Sequence, residues 1–291
     1  MYSFGKINSR PFWVVPLNGK YKCRSNGFIK ASDGRIIQSR RTVPGVGYMS
    51  CGKDPQMIHT LFEDDDILAA DKPEGIACIP ERVKGKENLL SVLESARPGK
   101  LYVVHRIDKE ASGIVLFAKN AAAHRHVSLQ FENRSVRKTY AALTHGVIAE
   151  SGGRIEKPLR PFGSGRAGVD EGRGKACSTE FHVEARFESC TMVRVHPLTG
   201  RRHQIRVHLY SIGHPIAGDP LYGEQAEQIR FPRLMLHART IGFALPSGRF
   251  VTVESALPKT FLDVLESVCT RHDKKSNFGA SPSNPEADSP V

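Results

Sequence analysis

Apolar residues along the chain fall mostly into short runs separated by polar turns, a rhythm that favours strands over helices. Ile67–Ala70 and Leu101–Val104 read as strands, and the run Gly113–Ala118 fits a buried one. Lys138–Leu143, Ser178–Phe187, Thr191–Val195 and Phe250–Val253 alternate or run in strand fashion. Helical periodicity is rarer. Asn120–Phe131 has helix-forming composition, with Val127 and Phe131 spaced to share one face. Arg202–Tyr210 is ambiguous by pattern, and the shared helical face of Ile205, Leu209 and Ile212 favours a helix. Many strands with few, short helices predict an α+β domain on a mixed, mainly antiparallel sheet.

Three segments follow from this pattern. Residues 1–56 carry turn signals at Asn18-Gly19, Asn26-Gly27, Asp33-Gly34 and Pro44-Gly45, with β-prone pieces such as Phe12–Val15 and Phe28–Lys30 between them, so small hairpins are expected. Residues 57–270 have the composition of one folded domain. Residues 271–291 are polar and rich in Pro and Ser, and are expected to be disordered. No internal repeat is visible.

Composition narrows the function. The 40% hydrophobic content is that of a globular protein. There is no apolar run of about 18 residues for a membrane span and no apolar core in Met1–Lys20 for a signal peptide, so a cytoplasmic protein is expected. Six cysteines are scattered without a Cys-x-x-Cys pair, which reads as reduced thiols. The formal charge of +12 favours a polyanionic partner. Residues 1–60 hold ten Lys/Arg against two Asp, two thirds of the net charge in a fifth of the chain. That concentration reads as an electrostatic arm for nucleic acid.

Two tempting motifs fail on context. Gly163-Ser-Gly165-Arg-Ala-Gly168 matches a dinucleotide glycine pattern, but no apolar strand leads in and no helix pattern follows, so a flexible surface loop is expected. His203, His208, His214 and Asp219 match no common metal-ligand spacing.

The stretch His105-Arg106-Ile107-Asp108-Lys109-Glu110-Ala111-Ser112-Gly113 carries more weight, with an Asp between a strand and a Ser-Gly turn. Alone, such an Asp more often caps a turn than reacts. Downstream stand Thr199-Gly200-Arg201-Arg202-His203-Gln204-Ile205-Arg206 and then Gly218-Asp219-Pro220-Leu221-Tyr222-Gly223. Together with Asp71-Lys72-Pro73-Glu74-Gly75, Lys138-Thr139-Tyr140-Ala141 and Leu236-His237-Ala238, these resemble the RluA family of RNA pseudouridine synthases; apart from the Gly218–Gly223 stretch, that makes five motifs in the family's order over roughly residues 60–265.

The resemblance implies an isomerase that turns uridine into pseudouridine in ribosomal or transfer RNA, with neither metal nor organic cofactor, and a monomer is the default. It makes Asp108 the catalytic carboxylate, Tyr140 the ring stacked on the target base and Arg206 the partner of the Asp. It assigns Arg106, Lys138, Arg201, His203 and Gln204 to substrate binding. The chemistry suits these types: a reacting carboxylate must stay ionised in a dry pocket, and a buried Arg offsets its desolvation. A base drawn from its stack needs an aromatic platform and cations on the backbone. Ala111, Ile107 and Arg202 depart from the family's usual Thr, Leu and Thr. Residues 1–60 lack the S4-type RNA-binding pattern of many relatives and read instead as a basic extension. Two rivals remain at this stage: an RNA-binding protein without catalysis, and a histidine-based metallohydrolase.

Overall fold

The computed structural model describes residues 58–81 and 87–276, with side chains through residue 269, and the backbone of four short strands before them. The expected hairpin piece Phe12–Val15 and most of the expected tail lie outside the described residues. The chain divides into two units, Met1–Arg40 and Arg41–Val291. In the first, β1 (Lys22–Arg24), β2 (Phe28–Lys30) and β3 (Ile36–Gln38) pair antiparallel in sequence order. These pairings flank Asn26-Gly27 and Asp33-Gly34, as hairpin turn signals should.

The second unit begins with β4 (Tyr48–Met49), β5 (Ile58–Glu63) and β6 (Ile67–Lys72). Then come α1 (Leu89–Ser95), β7 (Tyr102–Val103), β8 (Ser112–Ala118), α2 (Ala121–Glu132) and β9 (Arg137–His145). The strands β10 (Gly152–Ile155), β11 (Leu159–Pro161), β12 (Ala167–Val169), β13 (Thr179–Arg186) and β14 (Cys190–Pro197) follow. The unit closes with α3 (Gln204–Ser211), α4 (Gln225–Gln228), β15 (Leu236–Ala244), β16 (Phe250–Glu254) and α5 (Lys259–Ser276).

Nine strands run in the order β10-β13-β14-β9-β15-β8-β6-β5-β4, with β16 beside β15 and β7 beside β8. Every pairing is antiparallel except β15 with β8. The expected α+β class with a mixed, mainly antiparallel sheet is therefore what the chain forms.

β8 is buried along its whole length, so its side chains feed both faces. Ile114 and Leu116 join one core, where α2 packs Ala123 and Val127; Val115 and Phe117 join the other, with α1, α3 and Phe261 of α5. A strand covered on both faces reads as a continuous apolar run rather than an alternation, as Gly113–Ala118 does. Asn120 caps α2 by accepting the Ala123 N–H at 2.8 Å.

Three expectations need correcting. The Gly163–Gly168 stretch is not all loop: Gly163–Arg166 turn the β11–β12 hairpin, the Phe162 N–H reaching the Arg166 carbonyl, and Ala167 and Gly168 belong to β12, opposite Pro161 and Arg160. It lacks the apolar lead-in of a buried strand because the hairpin stands outside the large sheet, with the Leu159–Lys175 bridge as its further backbone pairing. α3 does not bury one face alone; Gln204 through Leu209 are all buried, and only its last turn, at Tyr210, opens to solvent. α5 was not expected and runs to Ser276, past residue 270. Its partly buried Val264, Leu265 and Val268 sit with Phe261 at helical spacing, and Pro258 precedes its first turn. Among the described residues no helix is long and apolar enough to cross a membrane.

Candidate active site

The Asp108 loop runs between β7 and β8, and the backbone holding it is tied from below. Lys72, fully buried at the end of β6, donates to the carbonyls of Pro73, Ile76 and Lys109 at 2.8, 2.9 and 3.0 Å. Burial pushes its pKa down to about 8. The Gly75 N–H also reaches the Lys109 carbonyl, so the Asp71-Lys72-Pro73-Glu74-Gly75 element clamps the loop one residue after Asp108. His105 pins the other end: its Nε2 accepts the Leu116 N–H at 2.9 Å, and its ring stacks on Phe131 at 4.9 Å. Burial drives its pKa down to about 3, so it is a neutral structural ring.

Gly113 explains the Ser-Gly ending of the motif. Its φ is +108°, and a Cβ there would lie 2.2 Å from the Ala238 carbonyl oxygen, where β8 meets β15 in parallel. Ser112 beside it accepts from Arg233 Nη2 at 2.7 Å and faces His237 Nδ1 at 2.8 Å. His237 and Arg233 thereby seat the strand that follows Asp108.

Asp108 does not cap its turn. Its Oδ2 accepts from Arg206 Nη1 at 3.2 Å, and its side chain is 23% exposed. Arg206 itself has no exposed surface. Its stronger partner is Asp219, which takes Nε at 2.8 Å and Nη2 at 2.7 Å in a two-pronged pair. Glu110 lies 3.5 Å from Nη1, and the Tyr222 ring lies 5.2 Å from the guanidinium carbon. Burial alone would lower the Arg206 pKa; the bonds and charges of Asp219 and Asp108 outweigh it and hold it raised.

Tyr140 projects from β9, opposite Val195 on one side and Ala238 on the other. Burial, then the Asp108 charge, raises its pKa, so the phenol keeps its proton. His203 takes a left-handed φ of 53° just before α3, with Nδ1 2.8 Å from the Tyr222 hydroxyl and Nε2 4.0 Å from Asp108 Oδ1. All eight residues singled out in the sequence border one cavity of about 520 Å³: Arg106, Asp108, Lys138, Tyr140, Arg201, His203, Gln204 and Arg206.

Bordering is not the same as facing a ligand. Gln204 spends its amide on protein: Oε1 accepts from the Thr199 hydroxyl and the Arg201 N–H, and Nε2 donates to the Ser178 carbonyl and Thr179 hydroxyl. It braces the 197–204 loop. Lys138 donates to the Thr199 carbonyl at 3.3 Å, and burial lowers its pKa. Arg106 and Arg201 are exposed at the rim.

The sequence reading overlooked Asp219 and Tyr222 as parts of this site, although both stand in the stretch after the second motif. Their signal was the Gly218-Asp219 pair: Gly218 has φ +73°, and a Cβ there would collide with the Arg233 carbonyl. Asp219 was grouped with histidines as a metal candidate, but of these only His203 lies at the site, and its Nδ1 is taken by the Tyr222 hydroxyl. His208 meets the Thr179 hydroxyl and the Lys157 carbonyl, and His214 the His145 carbonyl.

The arrangement is a carboxylate with one oxygen held by a buried cation and the other open to a basic-rimmed, aromatic-walled cavity. A family profile described as RNA pseudouridylate synthase matches residues 66–211. The chain is 35% identical to the RNA pseudouridine synthase YlyB of Bacillus subtilis over 240 residues, 78% of each chain. It is 38% identical to the dual-specificity RNA pseudouridine synthase RluA of Vibrio cholerae, over 68% of this chain and 82% of that one. It is 36% identical to ribosomal large subunit pseudouridine synthase D of Pseudomonas aeruginosa, over 76% and 74%. The solved structure of human RNA pseudouridylate synthase domain containing 1 superposes with a TM-score of 0.59 at 26% identity, covering 85% of this chain and all of that one.

Proposed function

The chain belongs to the RluA family of RNA pseudouridine synthases, and from that premise we propose that it isomerises uridine in ribosomal or transfer RNA, with Asp108 as the reacting carboxylate and the target base turned out of its stack into the cavity. The observation that carries the reading is the asymmetry of Asp108, which borders the cavity: Oδ2 rests on Arg206, while the nearest group paired with Oδ1 is His203 Nε2 at 4.0 Å, beyond hydrogen-bond distance. In the reaction the bond from C1′ of the ribose to N1 of uracil breaks, the base turns, and C1′ bonds to C5. The C5 proton leaves and N1 gains one, so nothing is oxidised or reduced overall. An ionised Oδ1 serves either as nucleophile toward C1′ or as acceptor of the C5 proton. Both parts require the charge that Arg206 stabilises.

Tyr140 supplies a protonated ring at the cavity wall for the displaced base, an interaction worth about 1–3 kcal/mol in single-stranded nucleic acid recognition. Arg106 and Arg201, exposed at the rim, suit the RNA backbone, and Lys138, inward of them and donating to the Thr199 carbonyl, would have to leave that bond to join them. We assign the basic residues 1–56 to RNA contact on charge alone, and the cytoplasm as the place of action. Deleting them should weaken RNA binding and flatten its salt dependence.

The test is to map pseudouridines across total RNA from cells holding the wild-type gene, its deletion, and Asp108→Ala. Sites lost in both mutants confirm the enzyme and name its RNA. A protein with Asp108→Ala that restored every site would sink the assignment.

A further inference from the structure

The Tyr222 hydroxyl lies where three parts of the fold meet. It accepts the Ala167 N–H of β12 at 2.8 Å and stands 2.8 Å from Nδ1 of His203, and Tyr222 is 5% exposed. A phenol has one proton to give. Among the described residues, His203 Nδ1 is the acceptor within reach of it. With the proton on Nδ1 instead, the imidazole would donate to the phenol, and the phenol's own proton would be buried without a partner.

His203 is also held in an unusual way. Its backbone is left-handed, a conformation that non-glycine residues adopt in only a few per cent of cases. Although it occupies the cap position of α3, its side chain makes no capping bond and is free for another use. Its Nε2 lies 4.0 Å from Asp108 Oδ1, beyond hydrogen-bond distance, and Oδ1 is the oxygen that Arg206 does not hold.

We propose that Tyr222 is a positioning residue that fixes His203 in the tautomer carrying its proton on Nε2, presenting a neutral N–H donor to the reacting nucleotide beside Oδ1 of Asp108. Burial lowers the His203 pKa, and Arg206 and Arg202 reinforce that against the pull of Asp108, so the ring gives a hydrogen bond without adding a charge. A donor aimed at the uracil carbonyls strengthens as the base departs with negative charge, which is where such a bond accelerates a reaction. This inference rests on the assignment of Asp108 as the reacting group.

Nitrogen-15 spectra of the histidine side chains in the full-length protein test the tautomer without any RNA. The wild type should show His203 with Nδ1 unprotonated, and Tyr222→Phe should show a mixture, its ring still over Arg206. The second measurement uses a transcript spanning a mapped uridine, with tritium at C5, and follows release in a single turnover. Tyr222→Phe should be slower by roughly tenfold at unchanged RNA affinity, and His203→Ala by roughly a hundredfold. His203→Gln, whose amide N–H stands near the Nε2 position, should recover most of the rate. In the His203→Gln background, Tyr222→Phe should cost nothing further. A wild-type His203 protonated on Nδ1, or a folded Tyr222→Phe at full rate, overturns the proposal. So does an equal tenfold loss in the His203→Gln background, which would make Tyr222 merely structural. Retained activity in Asp108→Ala would instead overturn the catalytic reading, while the nitrogen spectra would still decide the tautomer.

Discussion

Asp108 and Asp219 share one guanidinium and are held in opposite ways. Asp219, in the loop after α3, has no exposed surface and gives both oxygens to Arg206. Its Oδ1 also accepts the N–H groups of Leu221 and Tyr222 at 2.9 and 3.2 Å. Asp108, in the loop before β8, keeps 23% of its side chain exposed and accepts a single bond from Arg206, at 3.2 Å. One carboxylate is used up by the fold and the other is left with an oxygen to spend. The residue type is the same, and the number of bonds and the burial divide support from reaction.

The largest effect that would break this comparison is on turnover. Asp108→Asn keeps the shape and removes the charge, and single-turnover isomerisation should fall by about ten-thousandfold or more. Its melting temperature should stay within a few degrees of the wild type, since a partly exposed group with one bond holds little of the fold. A large loss of stability would mean that Asp108 is as structural as Asp219.

Asp219→Ala reverses the pattern. It strips a buried guanidinium of its two-pronged partner and should cost about 3–5 kcal/mol in urea unfolding. Arg206→Met should cost a comparable amount by leaving Asp219 buried and unpaired. The double variant should lose clearly less than the sum, because neither charge is then stranded. Strict additivity would dissolve the pair as a unit.

Acid should separate the two regions next. His105 underpins the Asp108 loop with a pKa of about 3 against an ordinary 6.5. Between those values the unfolded chain binds a proton that the fold refuses, so this stabilisation is complete above about pH 6.5 and is lost as pH falls toward 3. His237 behaves in the same direction. His105→Gln should therefore be less stable at pH 7 by about 1 kcal/mol, from the lost Leu116 bond, yet lose stability less steeply below pH 6. An unchanged acid limb would remove His105 from that account.

The smallest effect lies at the rim. Arg106→Ala should weaken RNA binding and reduce the slope of log affinity against log salt by about 0.7–0.9, one phosphate's share. A constant slope would take Arg106 off the RNA.

Local chemistry was enough for much of this molecule. The unbroken apolar run Gly113–Ala118 pointed to a buried strand, and the composition of Asn120–Phe131, with Val127 and Phe131 on one face, pointed to α2. The motif residues pointed to one cavity before any coordinate did, and all eight border it. What escaped had weak or misleading local signals. α1 is seven residues long and is recognised by a reciprocal Asn88–Ser91 cap rather than by period. α5 starts inside the expected domain, and only its end, past residue 270, enters the segment that polar composition marked as a tail; its apolar stripe gains meaning only against the core it covers.

The sequence by itself determined the class of sheet, the order of the motifs, and the chemical types gathered at the site, because these rest on periodicity and residue identity. Only the tertiary structure decided what each group does there. Gln204 became a brace because it ties its own loop, through Thr199 and Arg201, to Ser178 and Thr179 of a distant segment. Gly113 is required because Ala238 packs against it from another strand. Arg206 turned out to belong first to Asp219, and Tyr222 reaches Ala167 from 55 positions away. Such roles are set by burial and by which atoms remain unbonded once distant segments have met, and neither quantity exists until the chain has folded.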